Sequence, residues 1–211
     1  AKFLFLINQI KKEKNKLINF KFFSILLVIY MTFLPNLMAE SIKDFQIEGI
    51  SIGDSALRYY TEDQIIKNSR DYYKDKTFTP TQNIAPNFFQ QYDFFDYTFR
   101  TNDKNYLMTS IAGIISYENK DINDCYDKMD EIDIDINNIL NSFKRTSGNK
   151  IKSKSDPNGK STYSQITYRA KDGVINITCY DNSSRNDSMS FLSISVRTKE
   201  LSDFLMYKAY K

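Results

Sequence analysis

Tyr163-Ser164-Gln165-Ile166-Thr167-Tyr168-Arg169-Ala170-Lys171-Asp172-Gly173-Val174-Ile175-Asn176-Ile177-Thr178-Cys179-Tyr180-Asp181 alternates apolar and polar residues on both sides of an Asp-Gly pair. Asp-Gly favours a type I′ turn, because both central residues of that turn need positive φ and Gly adopts it without steric cost. A two-residue turn at Asp172-Gly173 pairs Ala170 with Ile175, Tyr168 with Ile177, and Ile166 with Cys179. Those six side chains then share one face, while Thr167, Thr178, Arg169 and Asn176 share the other. The expectation is an antiparallel hairpin with one side on a core and one toward water.

The same period recurs outward from this hairpin. Met189 to Arg197 directs Leu192, Ile194 and Val196 inward and leads into a helix carrying Leu201, Phe204 and Leu205. Tyr92 to Arg100 aligns Phe95, Tyr97 and Phe99, Asn102-Asp103-Lys104-Asn105 turns the chain, and Tyr106 to Tyr117 returns with Leu107, Ile111 and Ile115 in phase. Ser41 to Ile52 predicts a short strand ending at Gly53. Two short helices follow, one capped by Asp54 or Ser55 and running through Leu57 and Tyr60, the other opened by a Thr61/Gln64 capping box and carrying Ile65 and Ile66. Asp71 to Gln91 contains Pro80 and Pro86 and has no period, so it reads as irregular chain anchored by Phe78, Phe88 and Phe89.

Asp121 to Phe143 carries the strongest helical signal. Cys125, Met129, Ile132, Ile136, Ile139 and Phe143 recur every three or four residues and form one apolar stripe. Asp121, Asp124, Asp127, Asp130, Glu131, Asp133 and Asp135 occupy the other faces, weighted toward the end where the helix dipole favours acids. These elements together predict an α+β fold: an antiparallel sheet of about five strands with helices packed on one face. Cys125 falls on the apolar stripe and Cys179 on the inward face of the hairpin. A disulfide between them is expected if the helix lies on that sheet, and two separate buried thiols are the alternative.

The 211 residues include 29 Lys plus Arg, 26 Asp plus Glu, two Cys, no His and no Trp. Absence of His excludes Ser-His-Asp and Cys-His catalysis and His-containing zinc sites. The formal charge of +3 is unevenly placed. Lys11, Lys12, Lys14, Lys16 and Lys21 precede an uncharged run from Phe22 to Ala39, with Pro35 near its end and Leu37-Met38-Ala39 as a cleavage site. Residues 1–39 read as a secretory signal peptide, with an N-terminal membrane anchor over 22–39 or a buried core helix as alternatives. They hold six Lys and one Glu, which leaves 23 basic and 25 acidic residues in a single domain over 40–211. A mildly acidic domain lacks the electrostatic footprint of nucleic-acid binding.

The remaining candidates for chemistry are few. Lys144, Arg145, Lys150, Lys152, Lys154 and Lys160 stand against Asp156 alone in a Gly, Ser and Lys-rich connection. That connection either meets an anionic surface or acidic partner, or is a solvated loop. The aromatic pairs Tyr59-Tyr60, Tyr72-Tyr73, Phe88-Phe89 and Phe94-Phe95 either fill the core or line a ligand groove. Gly159-Lys160-Ser161 lacks the earlier Gly and the strand of a P-loop. Asp133-x-Asp135-x-Asn137 begins like a calcium loop but has Asn138 at the turn position and Lys144 where a bidentate Glu is needed. No metal or cofactor is expected.

Ile52-Gly53-Asp54-Ser55-Ala56-Leu57 resembles the strand, Gly-Asp-Ser, helix block of GDSL-type esterases, which implies a nucleophilic role for Ser55. The family takes its general base from a His, and this chain has none, which leaves the hydroxyl a weak nucleophile. More broadly, Phe45 to Leu57, Cys125, the Asp156 to Ser161 turn, Cys179 and the Ser193 to Phe204 stretch resemble a family of exported proteins from AT-rich marine α-proteobacteria. That resemblance implies export and no particular activity. The function expected is an exported, periplasmic or secreted, non-catalytic binding or interaction module whose ligand is open. The alternatives are a hydrolase pairing Ser55 with a Lys or carboxylate, and a structural protein tethered to the inner membrane by residues 22–39.

Overall fold

The 18-residue helix Ile122–Ile139 crosses an antiparallel sheet and delivers the chain from a central strand to the far edge. The structure, a computed structural model, describes residues 41–117, 122–140, 142–153, 156, 160–182 and 189–211. The proposed leader, Lys154 and part of the Asp156 turn therefore lie outside the described residues. All described residues belong to one unit, Met38–Lys211.

In chain order, the strands are β1 (Gln46–Ile47), β2 (Ile50–Ser51), β3 (Phe78–Ile84), β4 (Phe94–Arg100), β5 (Met108–Ser116), β6 (Lys144–Lys152), β7 (Thr162–Arg169), β8 (Gly173–Asp181) and β9 (Phe191–Thr198). The helices are α1 (Glu62–Asn68), α2 (Ile122–Ile139) and α3 (Lys199–Tyr207), with 3-10 turns at Ile42–Asp44 and Ala56–Arg58. The strands β1 and β2 form a separate two-stranded hairpin, and the other seven make one sheet in the order β3-β4-β5-β9-β8-β7-β6. Every neighbouring pair in that sheet is antiparallel. From β5 to β6 the chain must cross about 19 Å of strand spacings. At about 1.5 Å per residue, α2 spans about 27 Å and covers the distance.

Seven strands replace the expected five, and both additions are edge strands. In β3 the sequence carries Pro80, which a sheet tolerates at its edge because no inner ladder bond is lost there. In β6 almost every residue is exposed, so no apolar alternation marks it. The connection read as a loop over Lys144 to Thr162 is thus a strand through Lys152, bulged between Gly148 and Ile151, with Lys150 at φ 48°. Its cations discourage pairing with a second chain.

The hairpin at residues 163–181 forms, but its turn is Lys171-Asp172. Ala170 N–H donates to the Gly173 carbonyl (2.9 Å), and Tyr168 pairs with Ile175, Ile166 with Ile177 and Ser164 with Cys179. The two-residue shift leaves each side chain on its expected face, because strand side chains repeat every two residues. A type I′ turn is found instead at Glu48-Gly49, with φ of 44° and 85°, between β1 and β2. The strand expected over Ser41 to Ile52 is that small hairpin.

Gly173 serves a different purpose from the one expected. Its φ is not positive; a Cβ there would lie 2.2 Å from the Arg197 carbonyl oxygen and 2.5 Å from Ile42 Cδ1. Beside it, the Asp172 carboxylate accepts from Ser41 Oγ (2.5 Å) and Ile42 N–H (3.4 Å), and its carbonyl accepts from Lys199 N–H (2.7 Å). The 3-10 turn at Ile42 is thereby held against the end of β8. Gly173→Ala is expected to lose about 1–3 kcal/mol of stability, as overpacking against immobile backbone does. Equilibrium urea unfolding checks this, and an unchanged midpoint would show that the close approach costs nothing to relieve.

One face of the sheet carries Phe95, Tyr97, Ile111, Ile166, Tyr168, Ile175, Ile177, Leu192, Ile194 and Val196. It is covered by α2 through Cys125, Met129 and Ile136, by Ile65 of α1, and by Ile42, Ile47 and Ile50. Two expected core positions differ. Leu140, 1% exposed, takes the place foreseen for Ile139, which is 53% exposed, because it follows Ile136 by one full turn. In β5, Phe99 pairs with Met108 and Thr98 with Ser110, so an extra residue at Thr109 turns Met108 inward and leaves Leu107 exposed.

The helices do not share one face. Leu201 and Phe204 of α3 pack with Phe78, Tyr73 and Ala209 as a second small core. Phe78 alternates with Thr79 and Thr81 along β3 and lies on the side away from Tyr97, so α3 covers one end of the opposite face.

Candidate functional site

The two cysteines meet as expected. Cys125 of α2 and Cys179 of β8 form a disulfide with Cα atoms 6.1 Å apart, and both residues are fully buried. Among the described residues no helix is long and apolar enough to cross a membrane.

The basic residues are dispersed. Arg145 donates through Nε and Nη2 to Asp133 of α2 (2.9 and 2.7 Å), and Tyr168 Oη donates to the same carboxylate (2.6 Å). Those bonds, the Arg145 ones foremost, hold the Asp133 carboxyl below its ordinary pKa. Arg145 is consequently committed to an ion pair with α2 at the surface, and so is the first acid of the calcium-like motif. Lys144, Lys150 and Lys152 are spread along exposed β6, and Lys160 is exposed beyond Asp156. Asp156, itself buried, accepts from the backbone N–H groups of Lys160 and Ser161.

Ser55 is an N-cap. Its hydroxyl accepts from Leu57 N–H (3.3 Å) and donates to the Asn105 carbonyl (2.6 Å), so its proton rests on backbone rather than on a base. Asp54 accepts from Ser51 N–H, Arg58 and Tyr59 Oη.

A concave feature of the described molecule lies at the β3 edge of the sheet, with its floor on the face opposite α2, beyond the end covered by α3. A cleft of about 890 Å³ is floored by Phe94 and Asp96 of β4, Ile114 of β5, Phe191 and Ser193 of β9, and Tyr180 of β8. Its wall is the edge strand β3 through Gln82, Asn83 and Ile84, with Tyr60, Gln64, Lys67, Asn68 and Arg70 from α1 and its flanks. Local sequence fixes that wall. Thr61 and Gln64 form the reciprocal capping box that starts α1, and the helix stops at Ser69, where the chain pairs with Thr81 and Arg70 N–H donates to the Pro80 carbonyl (2.8 Å). Asn68 Nδ2 donates to Asn83 Oδ1 (2.9 Å), and Tyr60 stacks on Tyr97 at 5.6 Å while donating to the Ile84 carbonyl. On the floor, Tyr180 stacks on Phe191 at 4.5 Å.

Asp96 is the unusual group in this cleft. Burial pushes its carboxyl up to about 7, against the opposing pull of the Asn83 backbone N–H, the Arg70 guanidinium and Gln82. Such a carboxyl changes charge close to neutral pH, and groups of this kind concentrate at functional sites. Two cations share its cleft. Neither Lys67 nor Arg70 takes part in an ion pair among the described residues; Arg70 instead donates to Gln82 Oε1 (3.4 Å). Deeper on the same face, Arg197 of β9 has its Nε buried with no hydrogen-bond partner among the described residues, and it lies within electrostatic reach of Tyr180.

The polar face is drier than its sequence suggested. Thr167, Asn176 and Thr178 are 3–6% exposed, with Thr167 Oγ1 donating to Asn176 Oδ1 (2.8 Å) and Gln165 Nε2 to Thr178 Oγ1 (3.0 Å). Of the aromatic pairs singled out in the sequence, Tyr60 and Phe94 line the cleft, whereas Phe89 packs against the core. Asp96, Lys67 and Arg70 carried no recognisable motif. The available signal was a lone acid within Phe94-Phe95-Asp96-Tyr97, where a neighbouring pair of aromatics predicts low polarity around it. No family model, curated protein or solved structure matches the chain.

Proposed function

We propose that the protein is an exported, non-catalytic binding module whose ligand occupies the cleft on the open face of the sheet at its β3 edge, where α1 and its C-terminal flank add to the lining. The observation that carries this reading is Asp96, a carboxyl held in a half-buried cleft among side-chain amides, aromatic rings and unpaired cations. That arrangement grips a ligand by shape and polarity and fits the size range of small-molecule sites. Export is supported by the Cys125–Cys179 disulfide, since such bonds persist in oxidising compartments. The basic, then apolar, character of residues 1–39 and the resemblance to exported α-proteobacterial proteins point the same way. N-terminal sequencing of the protein recovered from the periplasm tests export, with Glu40 as the expected first residue; a retained leader would favour the tethered form.

Binding is tested by a thermal-shift screen of small metabolites against the wild type and Ser193→Trp, which fills the floor. A ligand present at 100 times its Kd stabilises by about 2.7 kcal/mol. For a domain of this size that corresponds to a rise in Tm of about 5–10 °C. The rise is expected in the wild type and not in Ser193→Trp. Equal shifts in both would place binding elsewhere.

A further inference from the structure

The cleft is bipolar. Its floor presents Phe94, Ile114 and Phe191, while the wall formed by α1 and its C-terminal flank presents Lys67 and Arg70. Among the described residues no carboxylate lies within salt-bridge distance of either cation, although Arg70 exerts an electrostatic pull on Asp96. The rest of the face reinforces that sign. Outside the lining, toward the end covered by α3, Arg197 has no ion-pair partner among the described residues, and Arg169 projects from the same row of the sheet, since both are register partners of Val174. Asp96 is the one acid in the lining, and its charge is suppressed by burial. In a domain that is mildly acidic as a whole, the charged lining of this apolar cleft is thus two cations against one acid. Such a combination excludes a cationic ligand and gives a neutral one no use for the cationic wall.

We propose that the cleft binds a small amphipathic organic anion, its apolar body on Phe94, Ile114 and Phe191 and its carboxylate against Lys67 and Arg70. This rests on the cleft being the binding site, and it adds the class of ligand. Arg offers a planar fork that meets a carboxylate with two parallel bonds, and Lys adds a point charge from the same side.

Three eight-carbon probes with one tail and different heads separate the contributions: octanoate, octyl glucoside and octylammonium, each below its micelle-forming concentration. They are titrated at pH 6 into the protein recovered from an oxidising compartment, and backbone amide NMR shifts of Asp96, Phe191 and Ser193 report the cleft. Octanoate is expected to shift those amides and to bind about ten-fold or more tighter than octyl glucoside, the value of one charge-assisted contact. Lys67→Gln with Arg70→Gln should remove that preference, while Arg70→Lys retains most of it. Thermal midpoints confirm that each variant is folded. Octyl glucoside or octylammonium binding as well as octanoate would overturn the anion assignment and leave a binding cleft standing. Octanoate shifting only amides outside the cleft would also overturn it. If none of the three moves the cleft amides, the binding-module reading falls as well.

Discussion

Removal of the Cys125–Cys179 bond is expected to lower the stability of the folded domain by about 4 kcal/mol, the value of the chain-entropy relation for a loop of this length. The two cysteines are 54 residues apart in sequence, so the bond closes a loop that includes most of α2 together with β6, β7 and most of β8. Its loss acts chiefly on the unfolded chain, which regains the conformations that the closed loop denied it. A domain of this size has about 5–15 kcal/mol in total. Reduction should therefore bring it close to its limit at physiological temperature. Both residues are 0% exposed, so Ala is the better replacement; Ser would bury a hydroxyl without an assured partner. Urea unfolding of the wild type, the reduced wild type and the double variant Cys125→Ala, Cys179→Ala gives the comparison. The two disulfide-free routes should agree, and a reduced protein as stable as the oxidised one would show that the cross-link contributes nothing.

Asp96→Asn is expected to stabilise the domain at pH 8 by about 2–4 kcal/mol and to change little at pH 4. In the folded state the carboxyl has a pKa of about 7, above the value of about 3.9 that an unfolded Asp shows. Between those values the folded protein holds a proton that the unfolded chain has released. Stability contributed by this group is therefore full below about pH 4, declines as pH rises, and is lost above about pH 7. Each unit of difference is worth about 1.4 kcal/mol, which sets the upper figure, and partial access of water to the cleft lowers it. Arg70, Gln82, the Asn83 N–H and the Tyr60 phenol face Asp96, and all remain in the variant, so the difference between the two proteins isolates the carboxyl. Unfolding midpoints from pH 4 to pH 8 should diverge with increasing pH. Parallel profiles would mean that the carboxyl is ionised in the folded state at ordinary pH. A residue that destabilises its own fold at neutral pH is better accounted for by what it binds than by what it holds together.

Elements with a buried side were legible in the sequence. The stripe from Cys125 to Ile136, the inward residues of β4, β8 and β9, the Thr61/Gln64 cap and the cysteine pair all follow from periodicity, because each turns one set of side chains toward the core. The strands that escaped reading lack an apolar alternation. In β6 the backbone pairs with β7 while nearly every side chain meets water, and in β3 Pro80 signals a break that an edge position forgives. Phase was lost where one residue was added: Thr109 bulges out of register, and Leu107 exchanges places with Met108. The cleft was illegible for a related reason. It assembles Asp96, Tyr180 and Phe191 from three strands with Lys67 and Arg70 from α1 and its flank, and apart from Lys67 and Arg70 no pair of them is spaced as one helix or strand imposes.

The order of strands also dictates an order of events. Strand β9, at the centre of the sheet, is the last strand in the chain, and it pairs Ser110 with Arg197 and Ile114 with Ser193. Until it arrives, the β3-β4-β5 meander and the β6-β7-β8 meander are two half-sheets, each with an open inner edge. Pairings so distant in sequence form slowly, and open edges invite association with other chains. A chain truncated before Phe191 would keep its cysteines, its long helix and most of its core residues, yet have nothing to join the halves. Such a molecule must be complete before it is safe from its neighbours.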